Sequence, residues 1–231
     1  MSHDLARKRA LRELVRRAHL PARADLDLLN VALTHESYAS EHPTEAASNE
    51  RLEYLGDAVL GAIVAHELFS AQPNAREGRL SRMRASLISR AALARAAERL
   101  GLGPLIRLGR GEKAAGGAQR PSVLADAFEA LVGAAFETGG MDGARRFVRS
   151  NHLVHSPSSE ATDPKTALQE LAQAKFKKTP HYALTAQTGP PHARVFTVAV
   201  HVGERTLGSG SGSTKKQAQS NAAREALANL P

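Results

Sequence analysis

The stretch Asn49-Glu50-Arg51-Leu52-Glu53-Tyr54-Leu55-Gly56-Asp57 opens a segment over residues 48–69 whose apolar positions recur at helical spacing: Leu52, Leu55, Val59, Leu60, Ile63, Val64 and Leu68. Ser48 or Asn49 is the expected N-cap. On such a helix Glu50, Glu53 and Asp57 stand at i, i+3 and i+7, stacked along one side. Three like charges on one face, with no Lys between them, repel one another unless something positive binds there. The nearest base, Arg51, points about 100° away around the helix. That face asks for a cation.

The pattern recurs in a second apolar segment over 122–138, where Val123, Leu124, Ala127, Phe128, Leu131, Val132 and Ala135 are periodic and Asp126 and Glu129 stand at i, i+3. Two such helices packed face to face would bring Glu53, Asp57, Asp126 and Glu129 to one spot. Hard oxygen ligands of this kind suit Mg²⁺ or Mn²⁺ rather than zinc. A divalent cation so held can activate water and stabilise the leaving oxygen at a phosphodiester. Spacing alone leaves the bland reading open, since acidic pairs at i, i+3 are most often a solvated helix face.

The rest of the first 153 residues reads as helix. Residues 4–19 carry Leu5, Leu11, Leu14 and Val15 as an apolar stripe and are stopped at Pro21. A short helix over 26–33 leads into Thr34-His35-Glu36-Ser37-Tyr38. Glu77-Gly78 opens another helix, with Arg79, Arg82 and Arg84 among Leu80, Met83, Leu87 and Ile88. An Ala-rich helix over 91–100 ends at Gly101, a Gly-rich loop spans 109–117, and a last helix covers 141–153. The expectation is an all-α unit over 1–154 and a polar linker over 155–162. Residues 163–231 change character: a helix over 164–175, strands over 181–187, 195–202 and 204–211, and a closing helix over 215–230. This is a small α-β-β-β-α unit.

The chain carries 31 Lys and Arg against 23 Asp and Glu, a net charge of +8, which points to a polyanionic partner. The excess is concentrated in residues 163–231, with nine basic residues against four acidic. There is no Cys, which excludes disulfides, thiolate metal sites and Cys nucleophiles and favours a reducing, cytoplasmic setting. No apolar run approaches the roughly 20 residues of a membrane span, and the basic start does not read as a signal peptide. Neither a membrane partner nor a small organic cofactor is expected.

The stretch 49–57 closely resembles the signature of the bacterial ribonuclease III family. The resemblance extends through Leu33-Thr34-His35-Glu36-Ser37, Glu77-Gly78 with Ser81-Arg82-Met83-Arg84, Leu124-Ala125-Asp126-Ala127-Phe128-Glu129-Ala130-Leu131, and the α-β-β-β-α tail. It implies an all-α endonuclease unit followed by a double-stranded-RNA-binding unit. It also implies Mg²⁺-dependent hydrolysis of double-stranded RNA, with Mn²⁺ as a substitute, leaving 5′-phosphate and 3′-hydroxyl ends in the processing of ribosomal RNA precursors and other structured transcripts. By the same resemblance Glu53, Asp126 and Glu129 are metal ligands, and Asp57 and Glu129 form the catalytic pair, with Asp57 positioning the attacking water. Glu50 and Glu77 line the cleft, contacting RNA or assisting a second metal. Tyr54 plugs into a partner subunit of a homodimer; from the residues alone it could equally be core.

In the tail, the resemblance to a double-stranded-RNA-binding unit implies minor-groove contacts from Thr166, Gln169 and Glu170 on the first helix and from His192 in the Gly189-Pro190-Pro191-His192 loop. Such units read A-form shape over about 16 bp. Lys215 and Lys216 match a phosphate clamp at the start of the last helix. Gln219 departs from the family, which usually has a third Lys there, and Ala115 stands where a small hydroxyl residue is common. The run from Gly208 to Lys216 lacks the order of a nucleotide-binding loop. Two other readings are a duplex-RNA-binding protein without chemistry, which the full set of carboxylates argues against, and a DNA-directed metal nuclease, distinguished by indifference to the 2′-hydroxyl.

Overall fold

The computed structural model describes residues 2–21, 23–155, 164–190 and 193–230, and the chain falls into two compact units, Met1–Ser156 and Pro157–Pro231. Of the linker expected over 155–162, only His155 is described, closing a short turn Leu153–His155.

The first unit is helical. α1 (Ser2–Arg17) buries Leu11 and Leu14, whereas Leu5 is 69% exposed. At 100° per residue Leu5 lies well around α1 from the face of Leu11, Leu14 and Ala18, so, against expectation, it is not part of the buried stripe. Arg7 takes the inward place, donating to the Asn30 side chain at 2.9 Å and to the Leu105 carbonyl at 2.5 Å. α2 (Leu26–Ala32) starts on Asp25, whose carboxylate accepts from the N–H of Asp27 and Leu28. Then come α3 (Glu36–Glu41), α4 (Glu50–Ala71), α5 (Glu77–Leu87) and α6 (Arg90–Arg99).

The expected loop over 109–117 instead contains a short helix, α7 (Arg110–Ala114). It is fastened by side chains from outside the loop: Gly109 N–H donates to Ser37 Oγ at 2.9 Å, Arg110 N–H to Glu41 at 2.8 Å, and Arg120 pairs with Glu112 at 2.8 Å. α8 (Pro121–Asn151) joins what the sequence divides into two helices. It breaks at Gly140, whose φ of +59° suits glycine alone among common residues. Phe128 and Phe147, fully buried with ring centroids 5.1 Å apart, sit on either side of that break and anchor the core. Among the described residues of this unit, the one β pairing is an isolated bridge between Thr34 and Arg107.

In the second unit, α9 (Pro164–Phe176) and α10 (Lys215–Asn229) accompany an antiparallel sheet of β1 (His181–Thr188), β2 (Val195–Val202) and β3 (Arg205–Gly212), in the order β1-β2-β3. A two-residue turn links β2 to β3, with Gly203 at φ +62° and Val202 paired to Arg205. Val198 and Val200 of β2, Leu168 of α9 and Ala218, Ala222, Ala223 and Ala226 of α10 form the core. The glycine-serine run of β3 has a packing reason. A Cβ on Gly208, Gly210 or Gly212 would strike the α10 backbone near Ala226, Ala222 or Ala218. Alternate glycines on one strand face thus meet alanines spaced one helical turn apart. The glycine-serine stretch is a close-packed seam between β3 and α10. No helix among the described residues is long and apolar enough to cross a membrane.

Candidate metal centre and basic surface

The acidic site is built by a close crossing of α4 and α8. A Cβ on Gly56 would run into the carbonyl of Glu129, and one on Gly133 into the carbonyl of Leu52. The two helices therefore touch backbone to backbone where side chains would hold ordinary helices 8–10 Å apart. Glu53 lies one turn before Gly56, and Glu129 one turn before Gly133, so the crossing sets them side by side. Glu53, Asp126 and Glu129 each offer a carboxylate oxygen, and these oxygens lie within 4.8 Å of one another. All three residues are half-buried.

Crowding and burial set their electrostatics. Glu129 is pushed up to about 7, first by loss of water around it and then by the charges of Asp57, Glu53 and Asp126. Glu53 is raised by burial, then by Asp126, Glu50 and Asp57, and Asp126 is raised by burial. A divalent cation among these oxygens removes both penalties, and three hard anionic donors with no His or Cys fit Mg²⁺ or Mn²⁺.

The other acidic residues of interest stand apart from this trio. Asp57 is exposed one turn along α4 from Glu53, and its charge acts on both Glu53 and Glu129. Glu50 is exposed and accepts from Ser48 Oγ at 2.9 Å. Glu77, at the start of α5, accepts from Ser81 Oγ at 2.6 Å and is not brought into the cluster.

Two supports of the site went unread in the sequence. Arg90, the first residue of α6, is the cation whose charge opposes the upward shift of Glu53, Asp126 and Glu129 alike. The other is a brace at the start of α4. Asn49 makes no side-chain cap. It is buried, donating its backbone N–H to the Thr34 carbonyl at 2.8 Å and its side chain to the Ala32 carbonyl at 3.5 Å. Thr34 is itself fully buried, its hydroxyl donating to the Asn30 carbonyl at 2.7 Å. The adjoining His35 caps α3, its ring Nδ1 accepting from Ser37 N–H at 3.2 Å. The Thr34-His35 motif thus fixes where the acidic helix begins.

One face of α4 is left without a cover. Tyr54 is 83% exposed and Phe69 71%, which excludes Tyr54 from the core. Ala58 and Ala62 are exposed between them, and Gly61 and Ala65 half-exposed, at a spacing that keeps all six on one side.

In the second unit Gln169 and Glu170 are exposed on α9 and Thr166 half-buried. Lys215 and Lys216 are exposed at the start of α10, which Thr214 caps by accepting from Gln217 N–H at 3.1 Å. His192 lies outside the described residues.

A family model described as ribonuclease-III-like matches residues 25–155, and one for the double-stranded RNA binding motif matches residues 164–230. The chain is 42% identical over 233 residues to a protein named Ribonuclease 3 from Moorella thermoacetica, covering 98% of each. It is 43% identical over 219 residues to Ribonuclease 3 from Heliobacterium modesticaldum, covering 93% of each. Among solved structures, the nuclease domain of ribonuclease III from Campylobacter jejuni superposes with a TM-score of 0.57 at 35% identity, over 63% of this chain and 95% of that one. A second structure of that domain is described as showing flexibility in a region involved in dimer formation; it gives a TM-score of 0.54 at 37% identity, over 60% of this chain and 95% of that one.

Proposed function

From the premise that this chain belongs to the ribonuclease III family, and is thereby an endoribonuclease of double-stranded RNA, we propose that its cleavage runs on Mg²⁺ held by Glu53, Asp126 and Glu129. The observation that carries this is the trio itself: three half-buried residues, each offering a carboxylate oxygen within 4.8 Å of the others, where two glycines let the helices meet backbone to backbone. When bound, the cation supplies a Lewis acid that lowers the pKa of water and stabilises the departing 3′-oxygen. Asp57, exposed beside the trio, orients the water for in-line attack on the phosphorus, and Glu129 is its partner in the catalytic pair. The products carry 5′-phosphate and 3′-hydroxyl ends. Glu50 and Glu77 line the approach, where they contact RNA or assist a second metal.

The second unit holds the duplex. Thr166, Gln169, Glu170 and His192 take the minor groove, and Lys215 and Lys216 take phosphates at the helix N-terminus. The uncovered α4 face, with Tyr54 and Phe69 exposed, supports a homodimer in which Tyr54 enters the partner. Two-fold symmetry suits a duplex whose strands are related by a similar axis. The setting is the cytoplasm and the natural targets are ribosomal RNA precursors and other structured transcripts.

Long duplex RNA incubated with the protein and Mg²⁺, then with EDTA, tests the reading beside Glu129→Gln and a DNA duplex of the same sequence. Cleavage of RNA alone, lost with EDTA and in Glu129→Gln while duplex binding survives, is the expected result. Mg²⁺-dependent cutting by Glu129→Gln at the wild-type rate would sink the assignment.

A further inference from the structure

Lys165, the second residue of α9, does not extend into solvent from its own helix. Its ammonium reaches α10, donating to the Gln219 side-chain oxygen at 2.7 Å, and lies 4.9 Å from the centroid of the Tyr182 ring. Gln219 stands four residues after Lys215, one turn further along the same side of α10. The contact therefore delivers a positive charge from α9 to the α10 face one turn beyond Lys215. Lys215 and Lys216 are exposed there, and no acidic residue occurs between Lys215 and Arg224.

The chemistry of the contact preserves that charge. A carboxamide holds an ammonium by a hydrogen bond without neutralising it, whereas a carboxylate in its place would cancel it. The Tyr182 ring adds attraction through its face and restricts the long side chain, so less rotamer freedom remains to be lost when an anion arrives. Lys165 also adjoins Thr166 in the chain. The contact thus joins the α9 surface proposed to enter the minor groove to the α10 surface proposed to take the flanking phosphates.

We infer that Lys165, held in place by Gln219 and Tyr182, is a phosphate contact of the RNA-binding unit and completes with Lys215 and Lys216 a clamp built from two helices. The inference rests on the reading of Lys215 and Lys216 as phosphate contacts. It also gives Gln219 a role: it positions another helix's cation in place of supplying one.

Binding of the full-length protein to duplex RNA, measured in EDTA over a series of KCl concentrations, reads the number of phosphate contacts from the slope of log K against log salt. Lys165→Gln should reduce the magnitude of that slope by about 1 and weaken binding about three- to ten-fold near physiological salt. Lys165→Met/Gln219→Leu removes the charge but keeps an apolar contact across the helices. It should show the same lowered slope with a wild-type melting temperature. Lys215→Gln, run alongside, should lower its own slope. A wild-type slope in Lys165→Met/Gln219→Leu beside a lowered one in Lys215→Gln overturns the inference and leaves the clamp standing. Wild-type slopes in every variant overturn the clamp as well.

Discussion

Replacing Glu129 by Gln should make the protein more stable when no divalent cation is present, provided the pH is above neutral. The reason lies in the crossing of α4 and α8, which holds this carboxylate among three others and away from water. Its pKa rises from the ordinary 4.5 to about 7, with desolvation the leading cause and Asp57 the next. Below pH 4.5 the group is protonated in the folded and unfolded chain alike, and the penalty is absent. Between about 4.5 and about 7 the unfolded chain gives up its proton first, so stability falls as pH rises, and above about 7 the penalty is complete. At about 1.4 kcal/mol per pH unit that gap sets a ceiling of about 3.4 kcal/mol. Water still reaches the half-buried group and screens it, so about 1–2 kcal/mol is expected. For a chain of this length that corresponds to a rise of about 2–8 °C in the melting temperature. Circular dichroism melts in EDTA at pH 8 and pH 4.5 make the comparison, with the gain expected at pH 8 and absent at pH 4.5. Added Mg²⁺ should raise the wild type more than the variant and narrow the difference. If Glu129→Gln melts at or below the wild-type temperature at pH 8 in EDTA, the carboxylates are not strained by one another and the reasoning is refuted.

Gly56→Ala and Gly133→Ala each force a methyl group against a carbonyl of the opposite helix. Each should cost about 1–3 kcal/mol, and cleavage of duplex RNA should fall far more than thermal melting alone would explain. Phe128→Ala empties a fully buried position against Phe147 and should cost about 3–5 kcal/mol by urea denaturation. Tyr54→Asp places a charge on the exposed α4 face; light scattering should show the proposed homodimer reduced to a single chain. Gly210→Val, at the seam of β3 with α10, should abolish duplex RNA binding, measured by gel shift, while leaving the melt of the first unit intact.

Spacing in the sequence pointed to Glu53, Asp57, Asp126 and Glu129 as one acidic group, and the choice of Glu53, Asp126 and Glu129 among them came from the family resemblance. A carboxylate embedded in a run of apolar residues at helical spacing, as at Glu53, Asp126 and Glu129, contradicts its surroundings and must be accounted for. Gly56 and Gly133 were equally visible, but nothing local says which backbone each approaches; that is a property of the pair. Arg90 lies on a third helix, 37 residues from Glu53, so its charge joins the site only through tertiary packing. Asn49 looked like a cap because its residue type favours one, yet burial turned its side chain toward the Ala32 carbonyl. The helix over 110–114 escaped because Ser37, Glu41 and Arg120 hold it from outside. Leu5 was misplaced by following apolar character without its angle.

The seam between α4 and α8 has a consequence for how this enzyme can vary. Where the distance between two helices is fixed by main chain meeting main chain, the side chains packed around the crossing do not determine it. Substitutions at surrounding positions such as Leu60, Ile63 or Leu131, each fully or almost fully buried, can alter how tightly the unit holds together while the carboxylate spacing stays the same. Durability and turnover are then separate axes for this protein. A set of core variants should scatter widely in melting temperature and hardly at all in rate, until a substitution adds a single methyl at Gly56 or Gly133 and the two fall together.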